Sequence, residues 1–239
     1  MFHPHGPTFF ELARQALSST EQGYDLLAPK FDYTPFRTPD WILERTAPHL
    51  GSPGSIGSAL DICCGTGAAM QILRPLCRDR VVGLDLSRGM LAVCREKTAA
   101  ASGAASLEFV REDALAMPFD NEFDVAVCFG ACGHILPRDE RRFVEQVYRA
   151  LRPGGRFAFI TSTMPPCWSR RYWLARSFNA AMHVRNLLIR PPFIMYYLTF
   201  LLPGAQRLLE EVGFAVKVRA GIYAPQQPRL HLVIATRTL

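Results

Sequence analysis

Three carboxylates stand at equivalent places in this chain, each at the end of a short apolar run: Asp61 in ALDICCGTG, Asp85 in VVGLDLS and Asp113 in REDALAMPF. A carboxylate there is costly unless it has partners, so the series points to bound polar groups. Asp61 is followed by Cys63, Cys64, Gly65 and Gly67. The adjacent thiols raise redox or metal chemistry. The glycines raise a loop whose bare backbone a ligand approaches closely, with the N–H groups of a following helix turned towards it. A dinucleotide fingerprint requires G-x-G-x-x-G or A, and the last position here is Met70; a P-loop lysine is also missing. Asp85 lies at the right spacing from Gly67 to take the two hydroxyls of a ribose. Asp113, or Glu112 beside it, suits the exocyclic amine of a base, and Ala114 leaves room for a flat ring.

Candidate bases are few. His134, in FGACGHIL, follows a fourth apolar run and the pair Phe129-Gly130. Tyr24, Asp32 and Tyr33 lie in an N-terminal segment placed to close over a ligand. His134 and Tyr33 are the catalytic candidates. Each also has an ordinary role open to it, His134 as a turn cap and the tyrosines as packing residues with a polar tip. No metal site is expected: Cys128 and Cys132 have neither a second cysteine pair nor a histidine pair to complete one.

Strands and helices must position these groups. Apolar runs at 58–63, 80–84, 107–111, 122–129 and 156–161 read as strands. Helical patterns at 67–77, 88–100 and 139–151 alternate with them, and RPGG at 152–155 reads as a turn. That rhythm predicts right-handed βαβ units, a parallel sheet covered on both faces, and ligands beyond the carboxyl ends of its strands. Residues 206–212 read as a closing helix, and 215–220 and 231–236 as closing strands. The organisation expected is a helical segment over 1–50 that closes over the cofactor, a binding core at 51–161, a helical cap at 162–204 and the closing elements at 205–239.

The chain has 239 residues, 49% of them hydrophobic, with a net charge of +6. This suits one ordinary domain with a mildly basic surface. Seven cysteines, an odd number, with no basic and apolar leader before them, suggest reduced thiols in a cytoplasm. The longest apolar run, FIMYYLTFLL at 193–202, is too short to span a bilayer.

Taken together, the three acids, the GTG loop and LRPGGRF resemble the class I S-adenosylmethionine-dependent methyltransferases over roughly residues 58–161. The resemblance implies an α/β, Rossmann-like, seven-stranded and mostly parallel sheet, with helices on both faces and a helical cap after the fifth strand. It also implies S-adenosyl-L-methionine as cofactor. Asp61, Cys63, Gly65 and Gly67 would hold its methionyl part, and Asp85 its ribose. Leu86, Met90, Asp113 and Ala114 would hold the adenine, with Phe129 and Gly130 as floor. Cys63 stands where the commonest family pattern has glycine. DICCGTG, GLDLS, DALAMPFDNEFD and TSTMP are closer still to the ubiquinone and menaquinone biosynthesis methyltransferases, which methylate a ring carbon of a prenylated quinone precursor. That likeness fades after about Pro165.

The implied function is methyl transfer to a small apolar or aromatic acceptor. The alternatives are a non-catalytic cofactor-binding or scaffold protein on the same fold, and a nicotinamide oxidoreductase. From Gln146 to Leu209 there is no Asp or Glu but there are nine arginines, interleaved with aromatics. Two readings of residues 165–204 stand open: a peripheral contact for an anionic membrane, and an ordinary hydrophobic lid whose arginines are simply solvated. Nucleic acid is not expected, since lysines are scarce and no Asn-Pro-Pro-aromatic motif follows the fourth run.

Overall fold

A computed structural model describes residues 3–238. Three helices come first: α1 (Phe9–Leu17), α2 (Thr20–Leu27) and α3 (Asp40–Leu50). A capping box starts α1, with Thr8 and Glu11 satisfying each other's backbone N–H, and Ser19 caps α2. The alternating part follows: β1 (Ile56–Ile62), α4 (Ala68–Leu73), β2 (Cys77–Asp85), α5 (Arg88–Thr98), β3 (Ser106–Arg111), β4 (Phe123–Cys128), α6 (Glu140–Ala150) and β5 (Leu151–Ser162). Then come α7 (Arg170–Leu188), α8 (Gly204–Val212), β6 (Phe214–Arg219) and β7 (Leu230–Arg237).

The seven strands form one sheet in the order β3-β2-β1-β4-β5-β7-β6. Only the pairings of β7 with β5 and β6 are antiparallel. The order reverses between β1 and β4, which places the open crevice beyond their carboxyl ends. Every residue of β1 is buried, as befits a central strand covered on both faces. Phe143 and Val147 of α6 and Leu209 of α8 cover one face; Met70 and Leu73 of α4 and Leu91 of α5 cover the other.

Three expectations shift in detail. The helix expected over 67–77 stops at Leu73, because Pro75 turns the chain through a short 3-10 segment and β2 starts early, at Cys77. The turn at 152–155 lies inside β5 as a bulge. Phe123 pairs with Leu151 and Val125 with Arg156, so residues 152–155 stand opposite Asp124 alone, with Gly154 at φ +78°. Within the segment read as a membrane contact or a lid, Phe193, Tyr196, Phe200 and Leu202 are buried in the protein, so the membrane role does not extend to them. Among the described residues, no helix is long and apolar enough to cross a membrane.

Candidate functional site

The β1 loop sets the geometry. Cys63, Gly65 and Gly67 all have positive φ, at +56°, +53° and +88°. That backbone explains why glycine would suit position 63; cysteine holds it at a strain of about 1 kcal/mol. The loop turns Gly65 N towards Asp85, whose Oδ2 accepts from it at 2.9 Å, while Asp85 Oδ1 accepts from Ser87 N at 2.9 Å. The ends of β1 and β2 are thus fixed to one another. Ser87, not Asp85, caps α5, its side chain accepting from Met90 N. Burial raises the Asp85 carboxyl above its ordinary value, partly offset by those backbone donors.

Asp61 is 2% exposed at the end of β1. Burial pushes its carboxyl well above the usual range, and the nearby Asp85 adds to the shift. Its Oδ2 has no hydrogen-bond partner among the described residues. A buried, unpartnered carboxylate oxygen beside a cavity fits a cationic donor on a ligand.

That cavity, about 470 Å³, opens over the switch point of the sheet. Asp61, Cys63, Gly65, Asp85, Leu86, Met90, Asp113, Ala114, Phe129, Gly130 and His134 all line it. So does Glu112, and Asp113 Oδ1 accepts from Leu115 N in a local turn. Two expected residues lie elsewhere. Gly67 does not line the cavity; a Cβ on it would meet Cys94 Sγ and Thr98 Cγ2 at 2.7 Å, so its bareness serves the packing of α4 on α5. Tyr33 also lies outside, its ring stacked on His3 at 4.7 Å between centroids.

These placements separate two glycines that look alike in the sequence. Gly67→Ala is expected to cost about 2–4 kcal/mol, from a left-handed backbone and a clash together. Gly65→Ala, with only Phe31 at 3.9 Å, is expected to cost about 1 kcal/mol. Chemical denaturation of the two variants checks the order.

The roof comes from the N-terminal segment, and its attachments were not legible in the sequence. Asp25 Oδ1 of α2 accepts from Ser87 Oγ at 2.6 Å and from Gly89 N at 2.7 Å, closing α2 onto the start of α5. Asp32, weighed as a base, accepts from Thr66 Oγ1 at 2.6 Å and pairs with Lys97, so it fastens the roof.

Between roof and floor lies the one titratable pair that meets inside the cavity's lining. Tyr24 Oη and His134 Nε2 are 2.8 Å apart. His134 Nδ1 is hydrogen-bonded to the carbonyl of Ile194. A carbonyl only accepts, so Nδ1 carries the proton, Nε2 is the acceptor and the Tyr24 hydroxyl donates to it. Burial lowers the imidazole below its ordinary value, and burial first, then Asp85, raises the phenol. At neutral pH both are uncharged, a donor–acceptor pair poised to pass a proton. Ile135, Leu136, Ile194 and Met195 give this end of the cavity apolar walls.

Comparison with known proteins agrees with this geometry. A methyltransferase domain model matches residues 59–155. A demethylmenaquinone methyltransferase from Staphylococcus aureus (strain JH9) is 32% identical over 189 residues, covering 73% of this chain and 74% of the relative. One from Shouchella clausii is 37% identical over 122 residues, covering 48% of this chain and half of the relative. Among solved structures, the DhpI–SAH complex aligns with a TM-score of 0.66 at 18% identity, over 97% of this chain and 99% of the other. The fold and the S-adenosylmethionine dependence follow from these matches together, and the chain belongs to the class I S-adenosylmethionine-dependent methyltransferases.

Proposed function

We propose that this enzyme methylates a ring carbon of a small hydroxylated aromatic, of the hydroquinone type, with the Tyr24–His134 pair removing the hydroxyl proton. The observation that carries this reading is the Tyr24 Oη to His134 Nε2 hydrogen bond, fixed by Ile194 and set among apolar walls. The likeness to demethylmenaquinone methyltransferases supports the acceptor class.

The residues divide the work as follows. Asp61 Oδ2 takes the ammonium of the methionyl part, and Asp85 keeps lone pairs for the ribose hydroxyls beside the two N–H groups it already holds. Leu86, Met90, Asp113 and Ala114 flank the adenine, and the Phe129-Gly130 turn forms the floor. Bound S-adenosylmethionine supplies an electrophilic methyl group on a positively charged sulfur. An acceptor hydroxyl gives its proton to the Tyr24 oxygen as Tyr24 passes its own to His134 Nε2. The ring thereby becomes electron-rich at the adjacent carbon. After methylation that carbon loses its ring proton to water, and the oxygen takes back the proton held by the Tyr24–His134 pair. The roof excludes water and holds the ring in line, which is the main requirement of such a displacement.

Incubation with methyl-labelled S-adenosylmethionine and a panel of acceptors tests this. Label is expected on a ring carbon of demethylated prenyl hydroquinones. Label only on amines or phosphate-bearing acceptors overturns the acceptor class. A cofactor-binding protein that labels nothing overturns the reading as a whole.

A further inference from the structure

α7 seats Met182 in a small core with Phe193 and Tyr196, and polar groups lie on the same inward side. Asn179 exchanges two hydrogen bonds with the backbone of Tyr197, and Asn186 does the same with Phe193. Arg185 donates to the carbonyls of Ala16, Ser18 and Pro191. The outward side carries further apolar groups that nothing among the described residues covers. Trp173, Val184 and Leu187 share one face, with Leu174 and Leu188 beside them. Trp173 is 61% exposed, and Leu187 and Leu188 are each 79% exposed. A helix docked on a soluble core turns its apolar side inward. A second set of exposed apolar groups lies on α1. Arg185 ties the end of α1 to the last turn of α7, and α1 leaves Phe9, Phe10 and Leu17 exposed. A patch of this extent marks an interaction surface.

Charge selects the occupant. Arg170, Arg171 and Arg176 edge the stripe, Arg190 follows it, and no Asp or Glu occurs anywhere from 146 to 209. A second copy of the chain would set arginine against arginine in either orientation, because both ends of the helix are basic. An anionic bilayer supplies what both sets of side chains lack: an apolar layer for the leucines, a headgroup boundary for Trp173, and negative charge for the arginines. We propose that the outward face of α7, extended by α1, docks this enzyme on anionic lipid bilayers. The segment that follows α7 supplies Ile194, Met195 and Tyr197 to the cavity, and the helix that follows α1 supplies Tyr24. The two elements that carry the docked face thus run directly into cavity-lining segments, a connection suited to an apolar acceptor dissolved in the bilayer. This goes beyond methyl transfer and holds whatever the acceptor is.

Flotation of the full chain tests it, with vesicles of phosphatidylcholine alone or with about 30% phosphatidylglycerol. The chain is expected to float with the anionic vesicles at low salt and at least about tenfold less with the neutral ones. Trp173→Ser/Leu187→Ser/Leu188→Ser is expected to reduce flotation by about tenfold or more while leaving S-adenosylhomocysteine affinity unchanged, since none of the three lines the cavity. A blue shift of wild-type tryptophan fluorescence on anionic vesicles reads the same event without any variant. No flotation and no shift with anionic vesicles overturns the proposal. So does flotation of the serine variant equal to wild type, or a concentration-dependent dimer that those serines abolish. Cofactor affinity is measured throughout, so failure of the methyltransferase site is read separately.

Discussion

Asp61→Asn raises the melting temperature of the ligand-free enzyme and removes its affinity for S-adenosylhomocysteine. Asp61 is inside the protein at 2% exposure, and its Oδ2 has no hydrogen-bond partner among the described residues. An uncompensated buried polar group of this kind costs about 1–3 kcal/mol. Asparagine keeps the shape and removes the charge, leaving a neutral unpartnered amide that costs less than an unpartnered carboxylate. For a chain of this length a gain of about 1–3 kcal/mol corresponds to roughly 2–12 °C. The pH dependence gives the sign independently. Burial raises the folded-state carboxyl above its unfolded value near ~3.9. The penalty is therefore absent below that unfolded value and grows as pH rises, reaching its full size above the raised folded value. The variant and the wild type should converge in stability in acid and separate towards neutrality. Calorimetric melting at several pH values measures this, and titration with S-adenosylhomocysteine measures the lost affinity. A wild type more stable than the variant at neutral pH would mean that Asp61 is satisfied within the protein and is not held ready for a ligand.

Tyr24→Phe lowers kcat by about 10²–10⁴, the range associated with a positioned proton-transfer group, and leaves S-adenosylhomocysteine affinity within about threefold. The substitution removes one oxygen and keeps the ring that stacks on Phe193. Ring packing is kept, so the loss of stability is limited to about 1–3 kcal/mol from the unpartnered His134 Nε2. A purely structural Tyr24 would show that loss with little loss of rate. His134→Gln should lower kcat by a similar factor, and the double variant by little more than either, because the two act as one unit. The wild-type pH profile follows from the neutral imidazole. Burial holds His134 below its ordinary value of ~6.5, so the rate stays level through neutrality and falls only as acid protonates Nε2 below that value. Neither single variant should retain that acid limb.

The central sheet was legible because its signal is local. Apolar runs of strand length alternate with helical patterns, and right-handed crossovers to a parallel sheet satisfy both. The acids at the strand ends were legible for the same reason, since a carboxylate closing an apolar run is conspicuous. Long-range choices were not. Tyr24 and Tyr33 are equivalent in YDLLAPKFDY, yet Tyr24 lies on α2 opposite His134, while Tyr33 follows in a 3-10 turn and stacks on His3. Asp25 has no mark in the sequence; its value lies in Ser87 and Gly89, more than sixty residues away. Gly67 reads as a ligand glycine because the pattern records a missing side chain, not the reason it is missing. The aromatic run at 193–202 reads as surface, but Asn179 and Asn186 bind its backbone and turn much of it inward.

Tyr24 and Asp25 are neighbours on α2, one donating to His134 and the other accepting from Ser87 and Gly89. Being consecutive on one rigid turn, these contacts form and break as a unit. Lifting α2 admits water and, in the same movement, withdraws the hydroxyl from the imidazole. The arrangement behaves as an interlock, in which the reactive pair is assembled only when the chamber is shut.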